Sequence, residues 1–468
     1  MKTTPIIYWL RRDFRLSDHP GLTAAVLSGR PVIPVFIYDE LVESYGAAPK
    51  WRLGLAVEHF AKSLVKMGSK LILRRGRALN VLRDLAEETG AGAVYWSRAY
   101  DPAAIIRDTH VKTGLKADGL EAKSHPGHLL FEPWKIETKT GGYYKVFTPM
   151  WKAVRNIVLE QELPEITHLP EPLVWPRSDD LDSWHMGLGM KRGAKIVAKH
   201  VCVGEKAANE RLAIFIQNKV ENYKTTRDVL SVDGTSRLSE NLTYGEISPR
   251  AVWHAGWKTL NDGVSDAEVF LKELVWREFA YHLAYYTPAI VSENWKDAWN
   301  SFPWKDDGIH ALPWKQGRTG IQLVDAAMRE MYVTGTMHNR GRMIVASYLT
   351  KHMMTHWKVG QKWFEDCLID WDPASNAMGW QWAAGSGPDA APFFRIFNPD
   401  TQAEKFDKDR NYRARYLAEC FSDHTDHAQQ FFEAIPQSWK LSASDAYPAP
   451  IVELDVGRRL ALLAYKGR

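Results

Sequence analysis

Apolar positions along the chain follow two successive patterns. Near the N-terminus, PIIYWL (5–10), PVIPVFIY (31–38), KLILRRG (70–76) and AVYWS (93–97) are short runs rich in β-branched and aromatic residues, and helical spacing lies between them, as in 51–67. Apolar runs that alternate with helices predict a parallel, doubly wound α/β sheet covered on both faces. Such a sheet takes ligands outside the carboxyl ends of its strands. From Gly204 the period becomes helical: Leu212, Phe215, Ile216 and Val220 recur on one face, and long helices are expected around 265–286, 319–332, 338–356 and 360–369. PIVELDVGRRLALLAYKG ends the pattern as a short helix. The expected fold is therefore an α/β N-terminal domain plus a large all-α C-terminal domain.

Between the two patterns, Pro133 closes the first, and Pro149, Pro164, Pro170, Pro172 and Pro176 punctuate a stretch without clear periodicity. It reads as a long connector crossing the surface with short helices. The expected division is 1–133, 134–204 and 205–468. A chain of 468 residues suits two or three cores. No run of about 18 apolar residues occurs, so no membrane span is expected. MKTTPIIYWLRRDFRL lacks the apolar core of a secretory signal. Three widely spaced cysteines suit a reducing cytoplasm and cannot ligate an iron–sulfur cluster, and no metal site is expected. A net charge of +4 is compatible with a local basic groove for nucleic acid. The 20 tryptophans supply core, electron carriers or stacking surfaces. No GxGxxG or P-loop motif is present, which excludes the common dinucleotide and NTP loops.

The chemistry gathers in 369–405. Asp370, Asp372 and Asn376 can hold a polar heterocycle and its ribose, and Trp380 and Trp382 can pass electrons. A turn through Gly385, Gly387 and Pro388 leads to Phe393, Phe394 and Arg395, which can meet a charged, planar substrate. GTSRLS (234–239), preceded by Tyr223 and Arg227, offers hydroxyls, a possible helix N-cap and backbone N–H groups for phosphate. In ELVWREF (273–279), Glu273, Trp276 and Arg277 share one helical face, as do Asn339, Arg342 and Met343 in MHNRGRMIVASYL (337–349). Arg340 is turned about 100° from Asn339. Arg342 is a suitable partner for Asp370, because a buried carboxylate needs one. Arg11, Arg12, Asp13, Arg15 and Asp18, just after the first strand, read as a solvated loop with ion pairs.

The 369–405 stretch resembles the flavin-binding heart of the cryptochrome/photolyase family, bacterial cyclobutane pyrimidine dimer photolyases in particular. Its WDPASNAMGWQW wording is similar to the class III branch, near plant cryptochromes. The resemblance implies a deoxyribodipyrimidine photo-lyase: light-dependent repair of pyrimidine dimers in DNA by excited reduced FAD. It implies FAD contacts from Tyr223, Thr235, Ser236, Arg237, Leu238, Ser239, Asn339, Arg342, Asp370, Asp372 and Asn376, with Asn376 facing flavin N5. DNA contacts are implied for Arg227, Trp276, Arg277, Arg340, Met343, Trp382, Arg395 and Gln402, with Glu273 bonded to the pyrimidines. Trp304 (in SFPWK), Trp357 (THW) and Trp380 (MGWQW) are implied as a hopping chain from the surface to the flavin.

Asn339 and Met343 stand where 6-4 photolyases carry histidines, and His338 is not in the equivalent place. Asn376 stands where plant cryptochromes carry Asp. The alternative readings are a blue-light-sensing cryptochrome without repair, and a redox flavoprotein or DNA-binding module without photochemistry. RAYDPAA (98–104) places Asp101 and Pro102 where folate-binding relatives often have Asn-Glu, but the class III wording favours a methenyltetrahydrofolate antenna over a deazaflavin. A cytoplasmic monomer acting on DNA is expected.

Overall fold

The computed structural model describes residues 4–390 and 392–467. Five strands form one parallel sheet: β1 (Ile6–Leu10), β2 (Val32–Tyr38), β3 (Ile72–Arg75), β4 (Ala93–Ser97) and β5 (Glu121–His125), in the order β3-β2-β1-β4-β5. Alternation along β1 sorts the two cores. Ile6, Tyr8 and Leu10 face helices α1 (Pro20–Leu27) and α2 (Ala47–Lys66), whereas Ile7 and Trp9 face α3 (Ala78–Thr89) and α4 (Pro102–Ala117). The four apolar runs are the first four strands. β5, EAKSH, escapes the pattern because only Ala122 of it is buried.

The strand order reverses between β1 and β4, and the crevice at their carboxyl ends is lined by Arg11, Arg12, Ser97, Arg98 and Asp101. It encloses only about 50 Å3. Arg107 crosses it to Asp39 at 2.8 Å, and Arg12 packs over the rings of Tyr45 and Trp371. Asp101 and Pro102 have a local use here, as N-cap and first residue of α4.

The loop after β1 is not the solvated turn expected of it. Asp13, Arg15 and Asp18 are buried. Arg15 donates to the carbonyls of Asp18, Gly127 and Gly245, and Asp18 accepts from Leu163 N–H, Ser248 Oγ and Arg250. The charges are those of a seam against the helical part, and the opposing surface comes from residues more than a hundred positions away.

The connector pads the sheet: Val32 N–H donates to the Pro170 carbonyl and Leu73 N–H to Ser178 Oγ. Its helix α5 (Phe147–Val154) packs on α6 (Ala267–Tyr286), the first wall of the helical part. The other walls are α7 (Asn339–Ser347), α8 (Trp357–Cys367) and α9 (Pro373–Ala384). The single helix expected over 338–356 ends early. α7 runs into one π-turn, Tyr348–His352, which turns Lys351 inward to donate to the Arg395 carbonyl at 3.1 Å. His356 then caps α8 by accepting from Lys358 N–H.

Glu278 of α6 joins the two parts. Its buried carboxylate accepts from Leu130 N–H (2.7 Å), Phe131 N–H (3.2 Å) and Arg277. Burial pushes it up to about 7, above its ordinary 4.5. The native state thus holds more protons than the unfolded chain between those values, so this group's stabilisation is complete below about pH 4.5 and is lost as pH rises through about 7. Glu278→Gln keeps an acceptor and removes the titration. Variant-minus-parent stability, followed by thermal unfolding, should therefore rise between pH 5 and 7.5, by at most about 3 kcal/mol. A difference that does not change with pH contradicts the assignment.

Candidate functional site

A cavity of about 970 Å3 opens between the 230–239 loop, α6, α7 and α9. All the residues expected at the cofactor line it: Tyr223, Thr235, Ser236, Arg237, Leu238, Ser239, Asn339, Arg342, Asp370, Asp372 and Asn376. Arg227, Glu273, Trp276, Arg277, Met343, Trp380 and Trp382 line it too. Trp304, Trp357, Arg340, Arg395 and Gln402 lie outside its lining.

The Arg342–Asp370 pair inferred from the sequence is present. Arg342 reaches both carboxylate oxygens of Asp370 at 2.9 and 2.8 Å, and Ser239 Oγ donates to the same carboxylate at 2.7 Å. None of the GTSRLS hydroxyls caps the short helix Ser239–Thr243. Leu238 is its N-cap, with its own N–H on Ser236 Oγ at 3.4 Å; Ser239 is committed to Asp370, and no side chain takes the N–H groups from Ser239 onward. Arg237 sits at φ 53° with its side chain exposed. Beneath the loop, Arg52 holds Glu240 and Glu246, each at 2.6 Å, and Arg211 donates to the Arg237 carbonyl at 2.8 Å. Arg211 and Arg415 add positive charge to this mouth of the cavity, and His200 and His427 border it as imidazoles that burial holds below their ordinary range; sequence reasoning missed all four. They are scattered over more than two hundred positions, and no spacing connects them.

At mid-cavity the Asn376 amide is oriented by its own hydrogen bond. Nδ2 donates to the Gln361 carbonyl at 3.0 Å, which leaves Oδ1 as the acceptor on the cavity side. Asp372 also borders the cavity, but its oxygens serve the fold: one caps α9 through Ser375 N–H (2.8 Å) and the other accepts from Tyr281 OH. Two glycines shape the space. A Cβ on Gly360 would land in the Trp380 ring, so only glycine lets α8 and α9 approach there. A Cβ on Gly379 would meet nothing within 4 Å, so Gly379 leaves a recess in the wall. Trp380 Nε1 and His338 Nε2 are buried without partners. His338 caps α7 through Arg340 N–H, and burial holds its imidazole down to about 4, hence neutral at physiological pH.

At the other end Trp276 lies flat on Phe147 (centroids 3.7 Å apart), and Met343 and Trp382 face the same space. Glu273 and Arg227 are paired with each other, so neither stands free for the pyrimidine or phosphate expected of it. Arg340 is held by Asp228 at 2.7 Å and lies over Phe406. On the turn after α9, Phe394 and Arg395 are exposed, but Phe393 faces inward among Trp299, Phe302 and Tyr465. Phe393 therefore belongs to a core, contrary to its expected place on the substrate side. Gln402 is half-buried with Oε1 unpartnered.

The three expected carriers are not stacked directly on one another. His356 stands between Trp304 and Trp357, with ring centroids 5.5 Å from each. Trp380 has its ring contacts with Phe364 (4.9 Å) and Trp314 (6.0 Å). Trp314 is a close indole neighbour that the sequence did not single out from the other core tryptophans.

These elements have counterparts in known proteins. Residues 6–172 match the DNA photolyase family model, and residues 270–467 match the FAD binding domain of DNA photolyase. A deoxyribodipyrimidine photo-lyase of Agrobacterium fabrum is 43% identical over 99% of this chain and 98% of its own length. The chain belongs to the DNA photolyase family. The crystal structure of a bacterial class III photolyase from Agrobacterium tumefaciens superposes with a TM-score of 0.92 over 100% of this chain and 98% of that one. Arabidopsis thaliana cryptochrome-1 is more distant, at 31% identity over 96% of this chain and 68% of its own.

The cavity fits the FAD of this family. It has a cationic end with uncapped N–H groups, a free amide acceptor at its middle, a glycine recess, and orphaned indole and imidazole nitrogens in its surroundings. Its floor depends on the Arg342–Asp370 pair. Arg342→Leu leaves a buried carboxylate with one hydroxyl for company and should cost about 3 kcal/mol in denaturant unfolding. A loss below about 1 kcal/mol, the usual worth of a surface pair, would show that Asp370 is solvated.

Proposed function

We propose that this photolyase repairs cyclobutane pyrimidine dimers in DNA, in the light, with FAD held in the 970 Å3 cavity. The observation that carries this is one continuous space. It joins an anion-receiving loop to an indole-lined end, with the Asn376 acceptor and Trp380 between them. FAD held by the 235–239 loop, Arg342 and Asn376 would supply, in its reduced and photoexcited form, the electron chemistry that splits a cyclobutane ring.

The chain's residues do the remaining work. The 235–239 loop receives the diphosphate through its N–H groups and Arg237. Asp370 keeps Arg342 against the cofactor, and Asn376 offers Oδ1 to the flavin edge, where it cannot donate a proton. Trp380 is the indole donor at the cavity wall, with Trp357 and Trp304 carrying charge outward. Splitting one long transfer into short hops keeps recharging fast. Extrusion of the lesion is a general property of photolyases. Trp276 and Trp382 take the flat faces of the extruded bases, and Met343 pads them. Opening of the Arg227–Glu273 pair frees Arg227 for a phosphate and Glu273 for the pyrimidine N–H groups, so each ion exchanges one partner for another and is not left bare. Arg277, Arg340, Arg395 and Gln402 complete the DNA surface. The cryptochrome reading is disfavoured by the more distant match to cryptochrome-1 and by the amide at 376, where the resemblance gives plant cryptochromes an Asp.

The division 1–133, 134–204 and 205–468 and a monomeric state belong to this proposal. So does a methenyltetrahydrofolate antenna, with one structural restriction. The crevice at the switch point, about 50 Å3, is far below the roughly 300 Å3 of a small-ligand pocket, so a folate would lie outside it. Among the described residues no helix is long and apolar enough to cross a membrane.

The direct test uses flavin-loaded, chemically reduced protein and an oligonucleotide with one dimer. Restoration of the intact pyrimidines under blue light, and none in the dark, is expected. Equal conversion in light and dark, or none in either, would overturn the proposal.

A further inference from the structure

The indole end of the cavity is built from two rings. Phe147 of α5 lies against Trp276 of α6 with planes 4° from parallel, and Phe279 braces both edge-on at 6.0 and 5.7 Å. Aromatic pairs prefer offset or edge-on geometry, so a parallel pair this close is held by its surroundings. Phe147 is buried, whereas Trp276 is partly exposed and borders the cavity. One face of the indole is thus covered, and the other is the face left for a base.

Phe147 comes from the connector and not from the helical wall. Its N–H, the first of α5, donates to Asp389 Oδ2 at 3.0 Å. Asp389 stands on the exposed turn after α9 at φ 49°, a conformation Asp tolerates better than most residues. The turn is fixed on either side, by Lys296 N–H on the Ser386 carbonyl and by Lys351 Nζ on the Arg395 carbonyl. A hydrogen bond and a ring contact therefore run from Asp389, through Phe147, to the indole.

We infer that Phe147 is a positioning residue for lesion recognition: it holds Trp276 at the tilt that receives the flat face of a pyrimidine dimer, and Asp389 ties it to the exposed turn. The inference rests on the proposed role of Trp276. A half-exposed indole without a backing ring samples other rotamers, and ordering it on binding weakens the complex.

The test uses flavin-loaded Phe147→Leu, Phe147→Tyr, Asp389→Gly, Trp276→Ala and Phe147→Leu/Trp276→Ala, with oligonucleotides with and without one dimer. Phe147→Leu should lower the ratio of dimer to undamaged affinity about three- to tenfold, with flavin content and undamaged binding kept. Phe147→Tyr should retain the ratio. In the Trp276→Ala background the leucine change should have no further effect. Asp389→Gly accepts the positive φ and leaves the core intact, so it tests the same path if the leucine variant folds poorly; it should lower the ratio about twofold. If Trp276→Ala keeps the parental ratio, the role of Trp276 itself fails. If Trp276→Ala loses the ratio while Phe147→Leu and Asp389→Gly keep it, or if the leucine effect is equal in both backgrounds, the inference about Phe147 fails alone.

Discussion

A buried carboxylate costs several kcal/mol unless its lone pairs are met, and Asp370 is where this protein meets that cost. Arg342 and Ser239 satisfy it together at the cavity floor. Three chain segments distant in sequence are thereby fixed to one another: the 234–239 loop, α7 and the turn that leads into α9. Thr243 Oγ1 and Tyr244 OH extend the same junction to the carbonyls of Asp370 and Ile369. The loop with the uncapped N–H groups and the start of α9, which carries Asn376 and Trp380, adjoin that junction.

Around this floor the walls use different physics at each end. The cationic end is a set of guanidinium groups, with neutral imidazoles beside them, over a loop braced by Arg52 and Arg211. The aromatic end relies on ring packing that draws on the connector as well as the helical wall. Between them, Gly360 and Gly379 exchange side-chain volume for close helix approach and for open space. The seam of Asp18, Arg250 and Arg15 then joins the sheet to the helical body without entering the cavity.

Much of this was legible in the sequence because the informative patterns are local. Four strands were visible as apolar runs, and the helix-face triplets 273–276–277 and 339–342–343 do line one cavity. What was missed depends on surfaces that meet only after folding. β5 has no apolar run because only Ala122 of it is buried. Arg15 and Asp18 look solvated until Gly245 and Arg250 face them. Phe393 and Phe394 are adjacent in sequence, yet one enters a core and the other faces solvent. Arg227 and Glu273 were each assigned an external partner, but 46 positions of separation did not keep them from pairing. The break of 338–356 into α7 and a π-turn has no signal in apolar periodicity.

The Arg342–Asp370 pair positions the cavity rather than merely stabilising the fold. This is tested most directly by titrating FAD onto apoprotein carrying Arg342→Met and Asp370→Leu together. An apolar pair of similar volume often preserves stability where a buried ion pair stood. The double variant should fold and bind FAD at least a hundredfold more weakly, a loss of about 2.7 kcal/mol. A folded double variant with parental FAD affinity would contradict it.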